Sequence, residues 1–157
     1  MFRIECLTLT TGIMLDTNIF NKVLDGQVSI DIFCKSSIYA TYVQHDELEA
    51  TNNVLRRKQL LEIFHLIEKK KIPTESAVFD VSRFDESKFS GDMLCEQIKK
   101  DLDAVKKKPN NIKDALIADT SIKNNLILIT TDGPLQKIIC KLNGKAMSLS
   151  EFCSKHC

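Results

Sequence analysis

Two short apolar segments that each lead to an aspartate constrain the fold of this chain more than any other feature. Ile13–Leu15 is followed directly by Asp16, and the apolar run 126–129 leads through two threonines to Asp132. A continuous apolar run is typical of a parallel strand that is covered on both faces. Parallel strands end at the same edge of a sheet, where open α/β sheets place their ligand sites. We therefore expect Asp16 and Asp132 to be neighbours.

Strand-like and helix-like segments alternate along the rest of the chain. Further strands are predicted at 37–43, at 77–81 and near 146–147, while 28–34 fits either a strand or a helix. Helices are predicted at 19–24, 44–51, 54–70, 92–105, 112–123 and 135–142, with Asn111 as the cap of the fifth and a final turn at 148–152. This alternation predicts an α/β domain built on a mostly parallel sheet.

Composition sets limits on the class of protein. The chain has 157 residues, a formal net charge of +1 and six cysteines, and it has neither an apolar leader nor a run of membrane-spanning length. These properties predict one cytoplasmic domain over 1–157 with free thiols. Residues 1–12 are predicted to form an N-terminal extension or an edge strand, and 153–157 a flexible tail. The tail could hold zinc through Cys153, His156 and Cys157, but no second ligand pair lies nearby in the sequence.

Two further carboxylates occur where the same sheet would bring them to this edge. Glu47 is expected to begin the helix after the second strand, although Asp46 and Glu49 compete with it because helix boundaries shift by a residue or two. Asp114 opens the fifth predicted helix. Acids in a first helical turn are stabilised by the helix dipole, and Asp16 could be a helix cap. Each acid thus also has a purely structural interpretation.

Convergence of the four acids would require a cation. Two carboxylates about 4 Å apart repel each other by roughly 4 kcal/mol at an effective dielectric constant near 20. Such a group either retains protons or binds a positive ion, and ligands that are all oxygen favour Mg²⁺ or Mn²⁺. An ion of this kind in an open acidic cleft commonly activates water and neutralises charge on a phosphodiester.

The four acidic segments, in their order along the chain, resemble the PIN domain, the nuclease fold of VapC-type toxins and of several RNA-processing enzymes. The matching segments are Asp16-Thr17-Asn18 after an apolar run, Glu47-Leu48, 114–118 and 129–132, and the resemblance covers about residues 13–152. It implies a three-layer α/β/α domain with a mostly parallel central sheet. It also implies a metal-dependent endoribonuclease that cleaves RNA phosphodiester bonds by metal-activated water.

The same resemblance implies a role for particular residues. Four catalytic acids would bind Mg²⁺ or Mn²⁺: Asp16, Glu47, Asp114 and Asp132. Three further residues would support them, with Asn18 and Thr130 orienting the ligands or a water and Asp119 adding a carboxylate near a second metal. An RNA substrate, an antitoxin protein and a second copy of the chain in a homodimer are the implied partners.

Two positions depart from the family pattern. Thr51 stands where toxin-like members usually have a glycine shortly after the Glu-Leu pair. The sequence Gly133-Pro134-Leu135 stands where the family often has an auxiliary acid after the last aspartate. These departures concern the subfamily more than the fold.

The basic clusters and the histidines have simpler interpretations. Lys106, Lys107 and Lys108 form either a solvated face or a contact for RNA phosphates. His45 and His65 are expected to be structural, because the implied chemistry needs no imidazole.

Three other functions compete with a toxin nuclease. The chain could be a non-catalytic interaction module on the same fold, or an RNA-maturation nuclease. It could also be a phosphatase with Asp16 as nucleophile, although Asn18 stands where a second aspartate would be usual there.

Overall fold

A computed structural model describes residues 11–67, 69–78, 86–87 and 93–156, with the backbone alone for His156. Residues 1–10, for which an extension or edge strand is predicted, lie outside this part of the chain. So do residues 79–81 of the predicted third strand, residue 92 of the fourth predicted helix and Cys157 of the tail. Within the described ranges, no helix combines the length and the apolar character needed to cross a membrane.

The described residues form five strands, seven α-helices and one short 3-10 helix at Ile30–Phe33. The strands are β1 Ile13–Leu15, β2 Ile38–Ala40, β3 Lys70–Lys71, β4 Ile127–Thr130 and β5 Lys145–Ser148. The helices are α1 Thr17–Leu24, α2 Tyr42–Glu49, α3 Val54–Leu66, α4 Leu94–Val105, α5 Asn111–Lys123, α6 Gly133–Lys141 and α7 Leu149–His156.

The central sheet is parallel throughout, with the strand order β3-β2-β1-β4-β5. The central strand β1 pairs with β4 so that Leu15 lies opposite Ile129, and the amide of Asp16 donates to the Ile129 carbonyl at 3.0 Å. The α/β class and the parallel sheet predicted from the sequence are confirmed. This register brings the residues that follow β1 and β4 to one edge of the sheet.

Each face of the sheet has its own apolar core, which gives the fold three layers. Side chains alternate between the faces of a strand. Met14 and Leu128 accordingly pack with residues of α4, α5 and α6, whereas Ile13, Leu15 and Ile129 pack with residues of α1, α3 and α7. The strands β1 and β4 are buried on both sides, which explains why their sequences are largely apolar.

Leu128→Ala is expected to lower the free energy of unfolding by about 2–5 kcal/mol, because it leaves a cavity in a fully buried part of the first core. Leu66→Ala is the matched control. Leu66 is 72% exposed, so its truncation should change stability by less than about 0.5 kcal/mol. Urea unfolding followed by circular dichroism measures both values, and similar losses in the two variants would contradict this assignment of the core.

The second predicted strand is shorter than expected because a helix cap interrupts it. Thr41 Oγ1 accepts a hydrogen bond from the Val43 amide at 3.1 Å, and Gln44 Oε1 accepts from the Thr41 amide at 3.0 Å. This reciprocal capping box starts α2 at Tyr42. The β-branched and aromatic residues that favour a strand here therefore form the first turn of a helix.

Three other boundaries differ from the sequence prediction. The long helix α3 ends at Leu66 rather than near 70, and Lys70–Lys71 forms the edge strand β3 beside β2. Residues 77 and 78, placed in a strand by the sequence, belong to neither helix nor strand. The end of the chain is helical as far as His156, where the sequence predicts a turn and then a tail.

Asn111 does not cap α5, contrary to the prediction. It is the first residue of the helix, and its side-chain amide donates to Asp103 Oδ1 at 2.8 Å and to the Lys106 carbonyl at 2.9 Å. The side chain thus joins the end of α4 to the start of α5, because packing offers it partners that the local sequence does not show.

Candidate acidic active site

Asp16 lies at the carboxyl end of the central strand and is almost completely buried. Its Oδ1 accepts a hydrogen bond from the Thr17 amide at 2.8 Å, and its Oδ2 accepts one from Thr130 Oγ1 at 2.8 Å. Asp16 is therefore the N-cap of α1, as its structural interpretation predicts, and it is also joined to the end of β4. Burial raises its pKa, against the opposing effect of these two hydrogen bonds.

Thr130 joins the two aspartates that follow β1 and β4. While it donates to Asp16, its Oγ1 accepts from the Asp132 amide at 3.0 Å. Asp132 Oδ1 in turn accepts from the Leu135 amide at 3.1 Å and caps α6. Each aspartate is thus fixed by backbone or hydroxyl donors, and Asp132 is close enough to Asp16 to raise its pKa further.

Glu47 reaches this edge from the second turn of α2, because the helix begins at Tyr42 rather than near Glu47 as expected. The helix dipole acts on the first turn, so it does not explain an acid at this position. The Gln44 side chain positions α2 by donating to the Leu15 carbonyl at 3.3 Å. Burial, followed by the charge of Asp16, raises the pKa of Glu47 to about 7.

Asp114 reaches the same edge from the first turn of α5. Its pKa is raised to about 8, mainly by burial and then by the charges of Asp16, Glu47 and Asp132. The dipole of α5 could stabilise an acid here, but the three neighbouring carboxylates outweigh it. Four residues that are far apart in the sequence are thus brought within electrostatic range of one another.

The four carboxylates are spread more widely than the ligands of a bound ion. In the described ranges, only His45, Asp46 and Glu49 place three metal-ligating atoms within 4.8 Å of one another. When no cation is present, repulsion of about 4 kcal/mol opposes a closer approach of any two charged carboxylates.

Two buried oxygens at this edge show that the residues fit a cation. Glu47 Oε1 and Thr17 Oγ1 are inaccessible to solvent, and neither has a hydrogen-bond partner of good geometry among the residues that the structure describes, although the Thr17 hydroxyl is near enough to lower the pKa of Glu47. A buried acceptor without a donor costs about 1–3 kcal/mol or more, which a hard cation would offset. Thr17 was not among the predicted site residues. Its position directly after Asp16, in the Asp-Thr-Asn segment, is the signal that could have identified it.

Two lysines act on the acids. Lys113 lowers the pKa of Glu47, and Lys108 lowers that of Asp114. Lys108 belongs to the predicted RNA contact, in which Lys106, Lys107 and Lys108 are all exposed. Lys113, on the first turn of α5, was missed because a single lysine beside an acid carries no sequence signal. Positive charge therefore lies beside the acidic edge.

Two of the predicted supporting residues lie in different surroundings. Asn18 is exposed on the first turn of α1. Asp119 is fully buried, where it accepts from Ser76 Oγ at 2.8 Å and forms an ion pair with Lys123 at 2.8 Å. Because Asp119 follows Asp114 by five residues, it is turned by about 140° around the helix. The expectation that Asp119 adds a carboxylate near a second metal is therefore corrected, and its role is structural.

The fold is similar to those of solved structures. No family model matches the chain, and no curated protein matches it. A chain of the crystal structure of VapBC2 from Rickettsia felis bound to a DNA fragment from their promoter aligns with a TM-score of 0.55 and 18% identity. This alignment covers 86% of the present chain and 96% of the other.

Two further structures align with TM-scores of 0.44, too low to carry an argument. One is FitAcB from Neisseria gonorrhoeae, at 13% identity over 86% of this chain and 96% of that one. The other is VapBC-5, a member of the VapBC family of toxin–antitoxin systems from Mycobacterium tuberculosis, at 16% identity over 88% of this chain and 97% of that one.

Proposed function

We propose that the protein is a metal-dependent endoribonuclease, because its fold is the PIN-domain fold of the VapC type. The observation that carries the proposal is the group of four acids at the carboxyl edge of β1 and β4. Burial, followed by the charges of the other three acids, raises the pKa of Asp114 to about 8. Repulsion between carboxylates does not stabilise a fold, whereas a cation site needs carboxylates that lie close together.

Asp16, Glu47, Asp114 and Asp132 would hold Mg²⁺ or Mn²⁺. When bound, such an ion supplies the positive charge that activates water and stabilises the oxygens of a phosphodiester. The chain's own residues prepare the site. Thr130 fixes Asp16 and Asp132 through its hydroxyl, and Glu47 and Asp114 retain protons near neutral pH that they would release to a cation.

The decisive experiment is incubation of the purified protein with total RNA, with and without Mn²⁺, beside an Asp16→Asn variant purified in the same way. Asparagine can still cap α1, so the variant should fold. We expect RNA fragments only in the sample that contains both the wild-type protein and Mn²⁺. Cleavage by the variant at the wild-type rate would reveal a contaminating nuclease and refute the proposal.

Lys108→Gln combined with Lys113→Gln is expected to weaken RNA binding about tenfold, because both lysines lie beside the acids and would neutralise phosphates. The slope of log K against log salt should become shallower by about 1.4, since each phosphate contact to a single strand contributes about 0.7. Fluorescence anisotropy with a labelled single-stranded RNA, in the absence of divalent ions, measures both quantities.

Lys145→Gln is the matched control for the lysine pair. Lys145 is exposed at the start of β5, the opposite edge of the sheet from the acids. Its replacement should leave both affinity and salt slope unchanged. An equal loss in the control would mean that RNA binds through general positive charge rather than at the acidic edge.

We further propose that the protein is a toxin with an antitoxin protein as partner, because a chain of VapBC2 has a similar fold that aligns with 86% of the present chain. Induced expression of the wild-type chain should arrest bacterial growth, and Asp16→Asn should not. Arrest by both proteins would instead favour a non-catalytic interaction module. Normal growth with an active purified enzyme would favour an RNA-maturation nuclease.

A further inference from the structure

We propose that His45, Asp46 and Glu49 of α2, together with His65 of α3, form a second metal site that takes a transition-metal ion such as Zn²⁺. This site is separate from the four acids and of different chemistry. It requires no RNA cleavage and does not depend on the proposed nuclease function.

The three α2 side chains converge on one point. His45 Nδ1 lies 3.5 Å from Asp46 Oδ1 and 4.0 Å from Glu49 Oε2. The donor atoms of all three residues lie within 4.8 Å of one another, and no other described group of three metal-ligating residues does this. His45 and Glu49 are four residues apart, so they occupy one face of the helix.

The His45–Asp46 contact is a long hydrogen bond of 3.5 Å, and both contacts of His45 suit metal ligands better than strong hydrogen bonds. A good hydrogen bond from an imidazole N–H to an oxygen measures about 2.7–3.2 Å, shorter than both contacts of His45. Two ligands of a tetrahedral zinc, each about 2.0–2.2 Å from the ion, are about 3.3 Å apart. A small inward movement of the Glu49 carboxylate would complete that arrangement, and this side chain is largely exposed and free to move.

A second imidazole comes from the neighbouring helix. The ring centroids of His45 and His65 are 6.2 Å apart, and each of the two rings makes a T-shaped contact with Phe64. Two imidazoles on one tetrahedral ion have centroids about 5 Å apart, which an exposed side chain such as His65 can reach by rotation. An ion held in this way would join α2 to α3.

The ligand chemistry separates this site from the acidic edge. Imidazole ligands suit zinc, copper and nickel, whereas sites made only of carboxylates suit magnesium and manganese. Glu47 lies on a different side of α2, since it is turned by about 200° from His45. The two sites can therefore be studied independently.

The test is titration of the full chain with ZnCl₂ by calorimetry, in millimolar Mg²⁺ and a non-thiol reductant. One Zn²⁺ per chain is expected, and His45→Ala and Glu49→Gln should each weaken binding by at least about 100-fold. Glu49→Gln guards against misfolding, because Glu49 is exposed whereas His45 packs against Phe64. His65→Ala should weaken binding by about tenfold or more, and unchanged binding would remove His65 from the site.

Three further measurements test whether zinc binds elsewhere on the chain. His156→Ala reports on the cysteine-rich tail and Asp114→Asn on the acidic edge, and neither should affect Zn²⁺ affinity. The spectrum with Co²⁺ should lack a thiolate-to-metal charge-transfer band. The proposal is overturned if zinc does not bind, if His45→Ala binds like the wild type, or if His156→Ala or Asp114→Asn abolishes binding instead.

Discussion

Asp114→Asn is expected to lower the rate of RNA cleavage by at least about 1000-fold and, at the same time, to raise the melting temperature of the metal-free protein. The loss of rate follows from removing a charged ligand, and with it the positive charge that the site holds at the phosphodiester. The gain in stability follows because burial, and then the charges of three neighbouring acids, raise the pKa of Asp114. The metal-free fold must therefore either protonate this carboxyl group or bury its charge, and asparagine avoids both costs. For a chain of this size, each kcal/mol of this cost that is removed should raise the melting temperature by about 2–4 °C.

Asp119→Asn provides a matched control, because it is the same change on the same helix. Asp119 is buried and paired with Lys123, so neutralising it leaves a cation without its partner and should cost about 3 kcal/mol. Below its melting temperature this variant should still cleave RNA. The two substitutions thus have opposite effects on stability, and only Asp114→Asn abolishes activity.

Differential scanning calorimetry and an RNA cleavage assay on the same preparations measure these effects. A fall in the melting temperature of metal-free Asp114→Asn would mean that Asp114 serves the fold, as its place in the first turn of α5 would allow. Activity retained by this variant would remove Asp114 from the catalytic group.

The stability of the metal-free protein is expected to fall by an amount on the order of 2 kcal/mol as the pH rises from 5 to 8. Glu47 and Asp114 have pKa values of about 7 and 8 in the folded chain, against ordinary values of 4.5 and 3.8. The folded state therefore binds their protons more tightly than the unfolded state does. This contribution is present at low pH and is lost as the pH rises through the folded values.

Divalent ions should reverse this trend. Metal binding needs deprotonated carboxylates, so Mg²⁺ or Mn²⁺ should stabilise the protein more at pH 8 than at pH 5. Urea unfolding at three pH values, in EDTA and in Mg²⁺, tests both statements. In Asp114→Asn the slope in EDTA should be shallower. A metal-free stability that increases between pH 5 and 8 would show that these acids are not mutually repelled.

The sequence predicts the two strands at the centre of the sheet, because an apolar run is a local feature of the chain. Apolar runs that a parallel sheet buries on both faces stand out at 13–15 and 126–129, and the aspartates follow them directly. Chain order and the parallel rule then bring Asp16 and Asp132 together without any knowledge of packing. The helix that carries Asp114 was also predicted correctly within a residue or two.

The sequence is less informative where a local capping signal or a long-range contact overrides the composition of a segment. The segment 37–43 has strand composition, but the Thr41–Gln44 capping box turns its second half into α2. The pair Lys70–Lys71 has no apolar signal, yet it becomes an edge strand because β2 offers a partner. Asp119 follows the acidic site in sequence, but the turn of α5 directs it to Ser76 and Lys123.

The sequence by itself therefore determined the fold class, because that depends on the order of apolar runs, and together with the family resemblance it predicted which four acids meet at one edge. The tertiary structure alone decided how these acids behave. Burial raises the pKa values of Asp16, Glu47 and Asp114, and among the described residues it leaves Glu47 Oε1 without a donor. The packing of the helices also places His65 of α3 beside His45 of α2. Desolvation and proximity are properties of the packed chain, and no residue carries them on its own.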